Sequence, residues 1–96
     1  MSLTAKPWYV YAIYSESANK YYRGISVDPE RRLSQHNSGK GAKYTRGRGP
    51  WRLFAVYYAG DQRYALHMEA IIKYMKKSDF LRWCAENKWT GKLPER

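Results

Sequence analysis

Five side chains in this sequence could carry chemistry on a phosphate: Tyr11, Tyr22, Arg32, His36 and Glu69. Arg32 is a planar, permanent cation whose fork can bind two phosphate oxygens. His36 follows it by four residues, so on a helix the two stack on one face, where His36 could orient a phosphate, shuttle a proton or only pack. Glu69 offers the hard oxygen that Mg²⁺ prefers. Two phenols beside an Arg/His helix face form a polar group that a plain core would not need.

Each of these residues also has an ordinary structural explanation. Tyrosine is a common strand residue, and this chain has ten. An arginine on an amphipathic helix is usually solvated. Glu69 can simply pair with Lys73 at i,i+4, which stabilises a helix by only about 0.2–0.5 kcal/mol. Residue type alone therefore leaves both interpretations open.

The elements that position these residues can be predicted from the sequence. Residues 8–14 and 21–26 read as two strands of a hairpin across a polar turn at residues 15–20. Tyr11 and Tyr22 share a face if paired residue numbers sum to an odd value, and a turn centred between Glu16 and Ser17 would place them directly opposite. A helix then starts at Asp28 and Pro29 and closes near Gly39.

The second half of the chain predicts a loop, a strand and two helices. Residues 40–50 read as a glycine-rich basic loop with at most one helical turn at 42–45, and residues 51–58 as a strand that is central or well covered. Residues 62–77 read as a helix with a core stripe at Ala65, Met68, Ile72 and Met75. A last helix, capped by Ser78 and Asp79, runs to about Lys88 and buries Phe80 with Trp83 or Cys84.

This order, β-β-α-β-α-α, predicts an α+β fold: a three-stranded antiparallel sheet flanked by helices. The chain is predicted to be one domain over residues 1–96. Its core lies at about 8–88, after a polar lead-in at residues 1–7, and a polar tail follows at 89–96.

Positive charge is concentrated in one part of the chain. The formal net charge is +10, and between Glu30 and Asp61 seven Lys and Arg occur with no acidic residue. Such a block favours a polyanionic partner, above all nucleic acid, although a basic surface without a specific partner is the simpler alternative. The predicted backbone contacts lie in or near the glycine-rich loop and interleave cations with one aromatic ring: Lys40, Lys43, Tyr44, Arg46 and Arg48.

Several site classes are not supported by the sequence. One Cys and two separated His provide no zinc-ligand spacing, and the glycines of the loop do not form a nucleotide-binding motif, so no small-molecule cofactor is expected. Cys84 is the only cysteine, and no segment approaches membrane-spanning length. We expect a cytoplasmic protein that does not bind membranes.

Ordered motifs across residues 8–77 resemble the GIY-YIG nuclease superfamily, most closely its small stand-alone bacterial members related to the excision-repair nuclease domain. Tyr9-Val10-Tyr11 matches the first motif and Tyr22-Arg23-Gly24 the second. Residues 28–33 and 36–45 continue the match, and Glu69 falls at the expected acidic position. Two positions depart from the family pattern: Tyr9 replaces a glycine, and Arg23 places a bulky charge inside the second motif, where it could face the DNA.

The resemblance implies a metal-dependent DNA endonuclease that serves DNA repair or processing. Tyr11 or Tyr22 would help deprotonate a water, Arg32 would neutralise the scissile phosphate, His36 would belong to the same site, and Glu69 would hold Mg²⁺ or Mn²⁺. The expected partner is DNA, with RNA left open. Two other classes stay open at this point: a non-catalytic nucleic-acid-binding module, and a structural or protein-interaction domain.

Overall fold

The predicted element order is confirmed by the computed structural model, which describes residues 6–92. Residues 1–5 of the predicted lead-in and 93–96 of the predicted tail lie outside the described residues. In chain order the elements are β1 (Trp8–Ser15), β2 (Lys20–Ser26), α1 (Pro29–Asn37), a 3₁₀ turn (Lys43–Thr45), β3 (Trp51–Gly60), α2 (Gln62–Lys73) and α3 (Lys77–Glu86).

The three strands form one antiparallel sheet in the order β2-β1-β3. β1 is therefore central, and β3 lies at an edge rather than in the centre. Tyr9 pairs with Ser26 and Tyr11 with Gly24, so paired numbers sum to 35, an odd value. Tyr11 and Tyr22 consequently share a face, but Tyr22 lies diagonally across from Tyr11, because the turn is centred one residue later than a directly opposed pair would require.

The two faces of the sheet are covered by different elements. On one face Val10, Ala12 and Ala55 pack against α2 and α3 through Ala65, Ile72, Phe80 and Cys84, all of which are buried. On the other face lie Tyr9, Tyr11, Ile13, Trp51 and Val56, with Leu33 of α1 packed against them. The predicted stripe is confirmed within α2, where Ala65 and Ile72 are buried and Met68 is half-buried, while Met75 packs against the core from beyond the end of the helix. The burial of Phe80 and Cys84 is confirmed, and Trp83 is only half-buried.

α1 begins and ends as its sequence predicts. The Asp28 carboxylate accepts a hydrogen bond from the Arg31 amide at 3.1 Å, and Pro29 occupies the first turn. Past the other end, Gly39 adopts a positive φ of 82°, which costs glycine little. These caps fix the register of the helix, so Arg32 and His36 lie one turn apart along it.

The predicted helix over residues 62–77 is wrong in its last turn: α2 ends at Lys73. The Arg23 guanidinium donates hydrogen bonds to the carbonyls of Ile72 at 2.6 Å and Met75 at 3.3 Å. A side chain from β2 thus satisfies carbonyls that a helix end leaves without amide partners. α3 then begins after Lys76, so Ser78 and Asp79 lie within its first turn and do not cap it, and α3 ends at Glu86.

The described residues after α3 pack against β3, although the sequence predicts only a polar tail there. Trp89 stacks on Tyr57 of β3, with ring centroids 4.9 Å apart and planes 9° from parallel. The Val56 amide donates to the Thr90 carbonyl at 2.7 Å. This bridge covers part of the β3 edge, where unpaired backbone groups would otherwise be exposed.

Candidate active site

Tyr11 lies at the centre of the candidate site because β1 is the central strand. Its side chain is 1% exposed and crosses the neighbouring strand at Gly24. A Cβ at Gly24 would stand 2.9 Å from the Tyr11 hydroxyl oxygen, closer than side chains tolerate. Gly24 therefore leaves the space that allows the Tyr11 phenol to reach the edge of the sheet.

His36 links the Tyr11 hydroxyl to Thr45 through a buried chain of hydrogen bonds. The Tyr11 hydroxyl lies 2.9 Å from His36 Nε2, and His36 Nδ1 lies 2.8 Å from Thr45 Oγ1. The Thr45 hydroxyl itself donates to the Ala42 carbonyl at 2.8 Å, so its oxygen accepts from Nδ1–H. In the neutral imidazole Nε2 is then the acceptor, and Tyr11 is its donor.

Burial keeps both partners of this pair uncharged. Burial, followed by the charge of nearby Arg32, lowers the pKa of His36 to about 4. Burial and the neighbouring Tyr22 raise the pKa of Tyr11 well above its ordinary value of 10.0. Near neutral pH the pair is therefore an uncharged phenol that donates its hydrogen bond to an uncharged imidazole. In this arrangement the phenol proton can pass to His36 although neither group is charged beforehand.

Arg32 and Glu69 both act on the Tyr11 hydroxyl. The charge of Arg32 and hydrogen bonding from it oppose the upward shift of the Tyr11 pKa, whereas the Glu69 carboxylate adds to it. The Arg32 guanidinium also donates to the Gln35 side-chain oxygen at 2.5 Å, which holds it against α1. A positive charge on α1 and a negative charge on α2 therefore influence the Tyr11 phenol in opposite directions.

Glu69 is half-buried and already has a partner. Its side chain is 17% exposed, and its carboxylate lies 3.4 Å from the Lys73 ammonium. Residues 6–92 contain no group of three or more His, Cys, Asp and Glu that could form a metal cage. One carboxylate nevertheless suits Mg²⁺, which takes one or two protein ligands and fills its shell with water and phosphate.

Tyr22 connects the buried pair to the surface. Its ring centroid lies 4.9 Å from that of His36 and 6.4 Å from that of Tyr11. On its other side the Tyr44 ring stacks at 6.2 Å. The structure thus brings Tyr11, Tyr22 and His36 into contact and places Arg32 and Glu69 where their charges affect the Tyr11 pKa, with Tyr22 between the Tyr11–His36 pair and the basic loop.

The basic loop is exposed but anchored at several points. Ser15 donates to the Arg48 carbonyl and Ser17 to the Gly49 carbonyl, the latter at 3.0 Å. The Asn37 side chain bonds both the amide and the carbonyl of Trp51, at 2.6 and 2.9 Å. The predicted backbone-binding residues of this loop are all exposed: Lys40, Lys43, Tyr44, Arg46 and Arg48. The Arg48 guanidinium already makes one hydrogen bond within the loop, to the Tyr44 carbonyl at 2.8 Å.

The Arg23 guanidinium is engaged within the fold, although its side chain also lines the surface at the outer edge of β2. Its guanidinium bonds the end of α2 and lies 4.4 Å from the centre of the Phe80 ring. Tyr9, the other departure from the family pattern, is buried edge-on against Tyr58 at 5.3 Å. Both substitutions are thus part of the packing and remove no group from the site.

Sequence reasoning missed Thr45, the residue that fixes the His36 tautomer. Thr45 is 1% exposed and lies nine positions after His36, across a loop that no periodicity describes. The only signal was its place at the end of the matched motif. The loop also passes close to the imidazole at Gly41, where an added Cβ would collide with Nδ1.

Comparisons with known proteins agree with the fold and the motif order. The family model described as the GIY-YIG catalytic domain matches residues 7–82. The UPF0213 protein YhbQ of Escherichia coli O157:H7 (strain EC4115) is 42% identical over 87 residues, covering 91% of this chain and 86% of the relative. YhbQ of Escherichia coli K12 is 44% identical over 80 residues, covering 83% and 79%. The solution NMR structure of the UPF0213 protein BH0048 from Bacillus halodurans superposes with a TM-score of 0.53 at 35% identity, covering 82% of this chain and 83% of that one.

Proposed function

The chain belongs to the family of the GIY-YIG catalytic domain, a nuclease superfamily, and from this premise we propose that it is a divalent-metal-dependent DNA endonuclease. The observation that carries the proposal is the directed chain from Tyr11 through His36 to Thr45, beside Arg32 and Glu69. A cytoplasmic role in DNA repair or processing is part of the same proposal.

Tyr11 is the proposed proton acceptor for the attacking water. Its own proton points to His36 Nε2, and beside the lone pair that Arg32 approaches, its oxygen retains one that can accept from a water molecule. As the water oxygen bonds to phosphorus, the bond from phosphorus to the leaving oxygen breaks, the water proton passes to Tyr11 and the phenol proton passes to His36, while the leaving oxygen takes up a proton from solvent. Tyr22 has the same functional group but no comparable link to His36, so the geometry favours Tyr11.

Arg32 and Glu69 act on the charge of the phosphate. Arg32 would turn its fork from Gln35 to the non-bridging oxygens and neutralise the charge that grows during attack. Glu69 is the residue that would hold Mg²⁺ or Mn²⁺, exchanging its pairing with Lys73 for the ion. When bound, such an ion supplies Lewis-acid stabilisation to the phosphate and leaving oxygens.

The experiment that tests this proposal is incubation of supercoiled plasmid with and without Mg²⁺ or Mn²⁺. We expect nicked or linear product only when metal is present. A shift in plasmid mobility without strand breakage would instead support a non-catalytic nucleic-acid-binding module. One observation favours that second function: the Glu69 carboxylate already pairs with Lys73, so it has a structural role that needs no metal ion.

A further inference from the structure

A basic, aromatic groove runs along the outer edge of β2 and borders the glycine-rich loop at Tyr44, whose ring centre lies 5.0 Å from the Arg48 guanidinium carbon. Its first part, about 330 Å³, is lined by Tyr21, Tyr22, Arg23, Tyr44 and Lys73. Its second part, about 280 Å³, shares three of these residues and adds Asn19, Lys20 and Lys77. No acidic residue of the described chain lines either part. We call this surface the β2-edge groove.

The β2-edge groove opens directly at the catalytic residues. Tyr22 lines the groove and also lies 4.9 Å from the His36 ring. Lys73 lines it and also pairs with Glu69. A polymer lying in the groove would therefore lead to the phosphate position between Tyr11, Arg32 and Glu69.

Rings and cations lie side by side in this groove. Tyr44 is 41% exposed and stacks on Tyr22, and the Lys77 ammonium lies 5.4 Å from the Tyr21 ring centre. Lys77 also donates to the Asn19 side-chain oxygen at 3.0 Å, which holds its stem along the groove wall. Aromatic faces bind bases by stacking while lysines follow the phosphates, a combination that suits single strands.

Duplex DNA would not use these rings. The faces of its bases are covered by their neighbours in the stack, so stacking on protein aromatics requires unpaired bases. We infer that the β2-edge groove receives an unpaired DNA strand, so that the preferred substrate carries a single-stranded segment beside the scissile phosphate. This inference deepens the proposed function and rests on it for the cleavage step.

The test measures binding in EDTA, where metal-dependent cleavage does not occur. The probes are a fluorescein-labelled oligothymidylate of about 12 nucleotides, within the ~4–16 that single-strand sites cover, and a blunt duplex of equal length. We expect the single strand to bind at least about tenfold more tightly at moderate salt. Tyr44→Leu and Lys77→Ala should each weaken single-strand binding, Tyr44→Leu by about tenfold, as expected for the loss of one stacked base. Lys77→Ala should change duplex binding by less than about threefold, and Tyr44→Leu, which also lies in the basic loop, should weaken single-strand binding more than duplex binding.

Matched variants outside the groove control for general effects of ring and charge removal. Tyr64→Leu removes a ring of similar exposure, 43%, and Arg63→Ala removes a cation, both from the first turn of α2. These two variants should leave the ratio of single-strand to duplex affinity unchanged. All variants are compared after thermal unfolding shows that they are folded.

Three results would overturn the inference. They are equal or tighter binding of the duplex, equal losses on both probes in the groove variants, or tighter binding of an oligouridylate than of the oligothymidylate. Because EDTA separates binding from cleavage, each proposal can fail alone. A protein that nicks plasmid but shows no groove-dependent preference contradicts only the β2-edge groove, and one that shows the preference without nicking contradicts only the enzyme.

Discussion

Tyr11 and Tyr22 carry the same functional group, and the fold places them in different surroundings. Tyr11 is buried and donates to a neutral His36, whereas Tyr22 lies between His36 and the surface ring of Tyr44. The first arrangement suits proton transfer and the second suits contact with substrate. At this scale the chemistry depends on hydrogen-bond direction, which Thr45 sets through the His36 tautomer.

Replacing Thr45 tests that direction. Thr45→Val removes the acceptor for Nδ1–H, so the imidazole can take the other tautomer, in which Nε2 faces Tyr11 as a donor and cannot receive its proton. We expect plasmid nicking to fall about tenfold or more, within the range of acid–base contributions, while DNA affinity is unchanged. Thr45→Ser keeps the hydroxyl and should retain most of the activity. Equal loss in both variants would indicate that Thr45 contributes only packing.

Replacing Glu69 distinguishes a metal ligand from a helix pair. Glu69→Gln keeps shape and helix propensity but removes the charge that a hard cation requires. If Glu69 holds the ion, nicking should fall about a hundredfold or more, because a metal supplies several kcal/mol of charge stabilisation. DNA affinity should hold or rise, since one negative charge has gone.

Lys73→Met is the control for that variant, because it breaks the same ion pair and leaves the carboxylate in place; since Lys73 also lines the β2-edge groove, the two variants are compared at saturating DNA. Nicking rates are compared for both proteins alongside the unchanged chain. If the Glu69→Gln variant keeps full activity, Glu69 is not the metal ligand, and the case for a metal enzyme loses its main residue.

β2 serves three purposes at the scale of elements. Its Gly24 provides space for Tyr11, its Arg23 ends α2, and its outer edge forms the wall of the β2-edge groove. Alternation along the strand separates these tasks, because Tyr22 and Gly24 face one side and Arg23 the other. The strand therefore ties the position of α2, and with it Glu69, to the position of the Tyr11 phenol.

The need for glycine on β2 can be measured with Gly24→Ala. Its added Cβ would lie 2.9 Å from the Tyr11 hydroxyl, so Tyr11 must move and its bond to His36 must lengthen. We expect a loss of about 1–3 kcal/mol in unfolding free energy, typical of overpacking, together with a loss of nicking. In a Tyr11→Phe background the nearest contact becomes the ring carbon at 3.1 Å, and the stability loss should shrink. Additive losses in this double-mutant cycle would place the strain elsewhere.

The whole molecule divides its functions between the two faces of the sheet. α2 and α3 cover one face with an apolar core, while α1 and the basic loop cover the other, where the site lies. Glu69 belongs to α2 on the core side, and its carboxylate charge contributes to the raised pKa of Tyr11. The net charge of +10 belongs to the whole molecule, and it makes the affinity for a polyanion depend on the salt concentration.

Stability should depend on pH through His36. Its pKa is about 4 in the folded protein and 6.5 ordinarily, so between these values the unfolded chain takes up a proton that the folded chain does not. The unfolding free energy should therefore fall by about 3 kcal/mol as the pH is lowered from 6.5 to 4, and then level off. Urea unfolding of His36→Gln should show a pH dependence flatter by about this amount, whereas His67→Gln, at an exposed position, should match the unchanged chain.

DNA affinity should fall steeply with salt, because each phosphate that the protein neutralises releases condensed counterions. Lys43→Ala combined with Arg46→Ala should reduce the slope of log affinity against log salt by about 2, alike for all sequences. Arg63→Ala combined with Lys92→Ala removes the same charge outside the loop and should leave the slope unchanged. The opposite pattern would move the duplex-binding surface away from the loop.

The sequence by itself determined the elements, because their signals are local. Alternation predicted the strands, Asp28 and Pro29 predicted the start of α1, and a three- and four-residue stripe predicted the core face of α2. Motif order was enough to predict that Tyr11, Tyr22 and His36 would meet, and the odd register that brings Tyr11 and Tyr22 to one face was among the stated alternatives.

Only the tertiary structure decided what each group does, because its partners are distant in the chain. The end of α2 depends on Arg23, 49 residues before the Ile72 carbonyl that it bonds. The tautomer of His36 depends on Thr45 across an irregular loop, and the space for Tyr11 depends on Gly24 in the next strand. Such contacts follow from how strands pair and helices pack, and no local pattern of residue types encodes them.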